Sequence, residues 1–200
     1  MTQASKPIVT LTGAFKNAGD YLIGYRARTL LRNHTESEII DVNRKTITDQ
    51  HYELFNGARA VLLTGGPAYQ EKVFPNVYDL DLSRIKVPVL AFGLGWKGKL
   101  GQSPSDFKFS PEAENFVQQI HHDKTRFSSA RDHLTVSMLA ARGIDNVAMT
   151  GCPAWYEERH IERDFVFNEN VKRVVLSMPA VPQAQLLPLM KHIAKLYPRA

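Results

Sequence analysis

The feature that most narrows what this chain can fold into is a repeated switch of period, each time punctuated by glycine. Short runs rich in β-branched and apolar residues alternate with amphipathic stretches of helical spacing, the pattern of a parallel sheet covered by helices. The runs are Pro7–Phe15, Glu38–Val42, Ala60–Thr64, Val87–Phe92, Thr125–Ala130 and Val147–Thr150. Between them, helices are predicted over Asp20–Arg32, over Asp49–Asn56 with a cap at Thr48 or Asp49, from Ser110-Pro111 onward, and over Asp132–Arg142 before Gly143. Ser followed by Pro is a strong helix start, since Ser caps and Pro fits the first helical position. The expected fold class is α/β: Rossmann-like, a mainly parallel sheet with helices on both faces.

The organisation changes after Trp155. Residues 1–156 read as the Rossmann-like domain and the polar run 157–170 as a connector. Residues 171–200 read as the start of a second α/β domain that is cut short. There the segment VKRVVLSMPA is expected as a strand and AQLLPLMKHIAKLYPRA as a helix kinked at Pro188. A 44% hydrophobic, 22% charged composition supports a core of ordinary size without staples. The single Cys152 cannot form an internal bridge and excludes cysteine-rich zinc modules. No segment is long and apolar enough to span a bilayer and no signal-peptide pattern opens the chain, so a cytoplasmic location is expected. The net charge of +5 is spread along the chain, which suits small anionic substrates better than nucleic acid.

Ligands of open α/β sheets bind outside the carboxyl ends of the strands. Three glycine turns fall there: Gly13 to Asp20, Gly65-Gly66 and Gly93 to Gly95. Glycine lets a ligand approach the backbone, and the following helix offers free N–H groups to an anion. Each turn alone has an equally good purely geometric reading. Gly13 and Gly19 are too far apart for the dinucleotide fingerprint, which sets nicotinamide binding aside. Asp20 reads either as a helix cap or as a cleft carboxylate able to take a proton from a substrate hydroxyl. In Ser128-Ser129-Ala130-Arg131-Asp132, the Arg131–Asp132 pair reads first as a structural ion pair, and second as an anion contact through Arg131 or a Ser hydroxyl. His121-His122 and Glu157–His160 read as solvated surface, and Cys152 as a packed thiol. No metal site is expected.

The ordered landmarks resemble the N-terminal part of the polysaccharide pyruvyl transferase family. They are Asn17-Ala18-Gly19-Asp20 after the first strand, Gly65-Gly66 after AVLLT, and Gly93-Leu94-Gly95 after VPVLAF. Ser128-Ser129-Ala130-Arg131-Asp132 and Thr150-Gly151-Cys152-Pro153-Ala154 complete the set, which extends over most of residues 7–154. Two departures stand out. Cys152 occupies a position where family members usually have Asp, and the family's Arg-Leu-His segment, tied to donor binding and catalysis, has no match here.

The resemblance implies one half of a two-domain, glycosyltransferase-B-like enzyme of surface polysaccharide biosynthesis. Such enzymes transfer pyruvate from phosphoenolpyruvate to a saccharide hydroxyl pair, forming a ketal. That chemistry needs an acid at the enol carbon, cationic groups for phosphate and carboxylate, and help in deprotonating the sugar hydroxyl. Asp20 is the catalytic candidate. Asn17, Gly19, Gly65, Gly66, Gly93, Gly95, Ser128 and Arg131 are the substrate-binding candidates. Phosphoenolpyruvate enters as donor substrate, with no further cofactor, and the saccharide as acceptor; neither nucleic acid nor an integral membrane segment is expected, and a homo-oligomer is left open. This half is expected to be the acceptor side and to be inactive alone. The competing readings are a sugar-nucleotide glycosyltransferase of the same architecture and a non-catalytic binding domain.

Overall fold

The computed structural model describes residues 5–13, 17–99, 101–164, 166, 170 and 186–196. The chain divides into two units, Met1–Ile161 and Glu162–Ala200.

In the first unit, β1 (Ile8–Thr12), β2 (Ile39–Asn43), β3 (Ala60–Thr64) and β4 (Val89–Phe92) form a parallel sheet in the order β2-β1-β3-β4. Two further parallel strands, β5 (Ser128–Ala130) and β6 (Val147–Met149), continue beyond β4. The Leu94–Ala130 bridge joins them to it, and so do hydrogen bonds from Gly93 N–H to Ser129 O and from Arg131 N–H to Leu94 O, both 3.0 Å. Helices α1 (Ala18–His34), α2 (Asp49–Gly57), α3 (Pro111–His121) and α4 (His133–Ala140) lie between strands in sequence. The mainly parallel α/β architecture is as the period pattern predicts. Strand ends are shorter than expected, because pairing stops where the chain turns away into the glycine loops.

The central strands are apolar on both faces, as a sheet covered on both sides requires. Along β1, Val9 and Leu11 join the larger core, with Val61 and Leu63 of β3, Phe55 of α2 and Val117 of α3. Ile8 points the other way, to a smaller cluster with Ile39, Leu62 and the α1 residue Leu31. Burying a side chain such as Phe55 or Leu63 stabilises by about 1.5–3 kcal/mol, so these alternating strand residues fix which face each helix covers. Toward the carboxyl end the α1 face turns polar. Thr10 and Thr12 donate to the two Asp41 carboxylate oxygens at 2.7 and 3.2 Å, and Arg28 of α1 closes on Asp41 at 2.8 Å.

The helix caps follow the residue chemistry. Ser110 Oγ accepts the Ala113 N–H with Pro111 in the first turn, and Asp132 Oδ1 accepts the Thr135 N–H at 2.8 Å. Thr48 caps α2.

In the second unit α5 spans Leu187–Leu196. Pro188 sits in its first turn, where a missing N–H costs nothing, so it starts the helix rather than kinking it. The expected strand VKRVVLSMPA lies outside the described residues.

Candidate active site

The strand order places the site. β2 lies on one side of β1 and β3 on the other, and in open α/β sheets the ligand crevice lies at the carboxyl edge of such a switch point. Gly13 follows β1 directly at this switch point; Gly65 and Gly66 follow β3.

On the β1 side, Asn17 is the residue that caps α1: its Oδ1 accepts the Gly19 N–H at 2.8 Å. Asp20, in the first turn, is therefore not the cap. Its half-buried carboxylate makes no hydrogen bond or ion pair with another described residue, and one of its oxygens lies 4.0 Å from where a Gly66 Cβ would stand.

On the β3 side, Gly65 and Gly66 are buried and left-handed, with φ of 57° and 79°. A side chain on Gly65 would run into Ile23 of α1, so only glycine lets α1 lie this close to the loop. The Gly66 carbonyl accepts the Gly95 N–H at 2.8 Å, which ties the β3 loop to the β4 loop.

The β4 loop brings in Arg131. A Cβ on Gly95 would fall inside its guanidinium, and Arg131 Nε lies 3.3 Å from Asp132 Oδ2. Asp132 in turn caps α4 and accepts the Thr135 hydroxyl at 2.8 Å, while that hydroxyl accepts the Trp96 N–H at 2.8 Å. Cap, ion pair and loop thus hold Arg131 over the Gly95 backbone.

The remaining sequence candidates divide. Gly93 N–H is engaged by the Ser129 carbonyl and hydroxyl, at 3.0 and 2.8 Å, and Pro153 packs where a Gly93 side chain would go. Ser128 is buried, and its hydroxyl accepts the Ala91 N–H at 3.0 Å. Both groups serve to join β5 to β4. Asn17, Gly19, Asp20, Gly65, Gly66, Gly95 and Arg131 stand at the carboxyl edge.

A model of the family described as polysaccharide pyruvyl transferase matches residues 17–199. This chain belongs to the polysaccharide pyruvyl transferase family. The match begins at the α1 cap and takes in both sides of the switch point, so the family's pyruvyl transfer in polysaccharide biosynthesis is the frame for these residues. No curated protein and no solved structure matches the chain.

Two expectations about this pyruvyl transferase chain need correction. His121 is not solvated surface: it is 2% exposed, its Nε2 is 3.0 Å from the Tyr69 hydroxyl, and burial, with Lys124 nearby, pushes its pKa down to about 4. Its helix ends against the core rather than in water. Glu157 and Glu158 are likewise not free surface groups. Glu157 pairs with Arg26 of α1 and with Arg159, and Glu158 with His34 and Asn33, fastening this segment to α1. These pairings hold both carboxyls below the usual carboxylate range. Cys152 is half-buried in the turn before the short helical turn Pro153–Trp155.

Two site groups escape a reading of the sequence, Arg44 after β2 and the buried Tyr78. A lone arginine in Asn43-Arg44-Lys45 and a tyrosine in a loop carry no local signal. Among the described residues, no group of three His, Cys, Asp or Glu could hold a metal ion, and no helix is long and apolar enough to cross a membrane.

Proposed function

We propose that this chain acts in pyruvyl transfer from phosphoenolpyruvate to a pair of saccharide hydroxyls during surface polysaccharide biosynthesis, as the acceptor side of the reaction. One observation carries the reading. Asn17 satisfies the α1 cap, which leaves the Asp20 carboxylate without a hydrogen bond or ion pair among the described residues, beside the Gly65-Gly66 loop at the edge where a parallel sheet binds ligands.

In the proposed reaction two sugar oxygens form bonds to the enol carbon of the donor, and its C–O bond to phosphate breaks. One hydroxyl proton ends on the methylene carbon, which becomes the ketal methyl; the other leaves with inorganic phosphate. Asp20 receives the first of these protons from the attacking hydroxyl, a step worth about 100-fold or more in rate. The backbone at Gly66 gives the saccharide room to approach that carboxylate. Arg131 offers a charge-assisted contact to an anionic group, and the donor chemistry is assigned to the family's Arg-Leu-His segment, which residues 1–200 do not contain. On this reading residues 1–200 by themselves do not turn over.

The test is transfer itself, by a polypeptide carrying these residues together with the Arg-Leu-His segment. Phosphoenolpyruvate and a panel of galactose- or mannosamine-containing acceptors are supplied, and ketal is detected by mass. Ketal formation that falls about 100-fold in Asp20→Asn supports the reading. Nucleotide release from a nucleotide sugar, without ketal, would establish the glycosyltransferase alternative instead. Ketal made by residues 1–200 alone would place the donor chemistry inside this chain.

A further inference from the structure

The crevice contains a cation whose surroundings differ from those of every comparable arginine. Five described arginines are half-buried: Arg26, Arg28, Arg44, Arg131 and Arg142. Four of them close on a carboxylate, respectively Glu157, Asp41, Asp132 and Glu114. Arg44 does not. Its Nε is buried with no hydrogen-bond partner, and its one side-chain hydrogen bond among the described residues is a long 3.4 Å contact from Nη1 to the Tyr78 hydroxyl. Removing a charged donor from water without an acceptor costs free energy, so a guanidinium kept in this state is poised for a ligand.

Its position is fixed from three sides. The Arg44 N–H donates to the Thr12 carbonyl at 2.8 Å, anchoring the residue at the end of β1. The guanidinium carbon lies 5.0 Å from the centroid of the Tyr78 ring. On another side is the Gly13 backbone, where any side chain would occupy the guanidinium's own space. Gly13 directly follows β1 at the switch point, so Arg44, just after β2, stands at the same carboxyl edge as Asp20. The buried Tyr78 phenol registers both charges there, being raised by burial and by Asp20 and lowered by Arg44.

We infer that Arg44 is an oxyanion-binding residue of the switch-point crevice, held between the Gly13 backbone and the Tyr78 ring to take the carboxylate or phosphate of an anionic substrate. The inference rests on the reading of the crevice as the substrate site, and it supplies a cation on the Asp20 side to complement Arg131 on the β4 side. A planar guanidinium suits this task, since it can grip two oxygens of a carboxylate or phosphate at once. Tyr78 positions the guanidinium and Gly13 leaves it room.

The experiment follows the Arg44 Nε–H resonance of the 200-residue chain by NMR while inorganic phosphate, pyruvate or phosphoenolpyruvate is added. The expected result is a saturable shift of that resonance with at least one of the three. Phosphate alone would identify a phosphate subsite, pyruvate alone a carboxylate subsite. Affinity for the responding anion should fall about 10- to 100-fold in Arg44→Gln and less in Arg44→Lys, with unfolding midpoints measured alongside. No shift with any of the three at millimolar concentration overturns the inference. So does unchanged affinity in a folded Arg44→Gln; if that variant does not fold, the wild-type titration and Arg44→Lys decide. A saturable Arg44 response without ketal formation in the transfer assay would keep the anion site and remove the pyruvyl-transfer reading. Ketal formation with a silent Arg44 would do the reverse.

Discussion

Asp20 of α1 faces Gly66 across the switch point, with a carboxylate oxygen 4.0 Å from where a Gly66 side chain would begin. The residues come from different βα units, and their proximity follows from β1 and β3 being neighbours in the sheet.

The division of labour between Asn17 and Asp20 can be separated by substitution. Asn17→Ala removes the side-chain acceptor for the Gly19 N–H and should cost about 1 kcal/mol of stability, while Asn17→Asp should cost little. Asp20→Asn should leave the unfolding midpoint nearly unchanged, since Asp20 makes no hydrogen bond or ion pair with another described residue and Asn17 already caps α1. Urea denaturation of the three variants checks this, and a large destabilisation in Asp20→Asn would return Asp20 to a structural role.

Adjacent glycines should respond differently to the same change. Gly65→Ala meets both a left-handed backbone and Ile23, and should destabilise by about 1–3 kcal/mol. Gly66→Ala shares the backbone strain but has open space on the Asp20 side, so it should be the milder of the two, at about 1 kcal/mol. Its added methyl narrows the approach to Asp20, so acceptor affinity should weaken more than stability does. Equal destabilisation by the two would mean that the contact with Ile23 is easily relieved.

Gly95→Ala should act through Arg131. The new methyl takes the space of a flexible side chain rather than of backbone, so the fold should lose no more than about 1 kcal/mol. The guanidinium, however, must leave the Gly95 backbone. A shifted Arg131 Nε–H resonance with a near-normal unfolding midpoint is the expected outcome, whereas an unmoved resonance would mean that the loop yields instead.

His121 gives the protein an acid sensitivity of predictable sign. Its pKa falls from 6.5 to about 4 on folding, chiefly through burial, so the unfolded chain binds the extra proton throughout that window. Stability from this group is complete above pH 6.5 and is lost as the pH falls toward 4, by on the order of 3 kcal/mol. His121→Gln keeps a polar partner for the Tyr69 hydroxyl but cannot titrate. Denaturation midpoints followed between pH 7 and 4 should therefore decline less steeply in the variant; parallel curves would assign the acid loss to other groups.

The sequence by itself determined the alternation of strand and helix, and with it the α/β class. It also determined the helix starts at Thr48, Ser110 and Asp132 and the glycine turns at the strand ends. These are short-range properties: a hydrophobic period, a side chain that bonds an N–H three residues on, a left-handed backbone. It could offer two roles for Asp20, cap or cleft carboxylate, but could not see that Asn17 takes the cap. Only the tertiary structure decided which distant groups meet. His121 looked like a helix-end residue in water and is buried because Tyr69, 52 positions earlier, comes back over it. Arg44 is an ordinary arginine in its own segment. The order β2-β1-β3, setting Gly13 beside its guanidinium and Tyr78 beneath it, leaves it at the switch point without a carboxylate partner among the described residues.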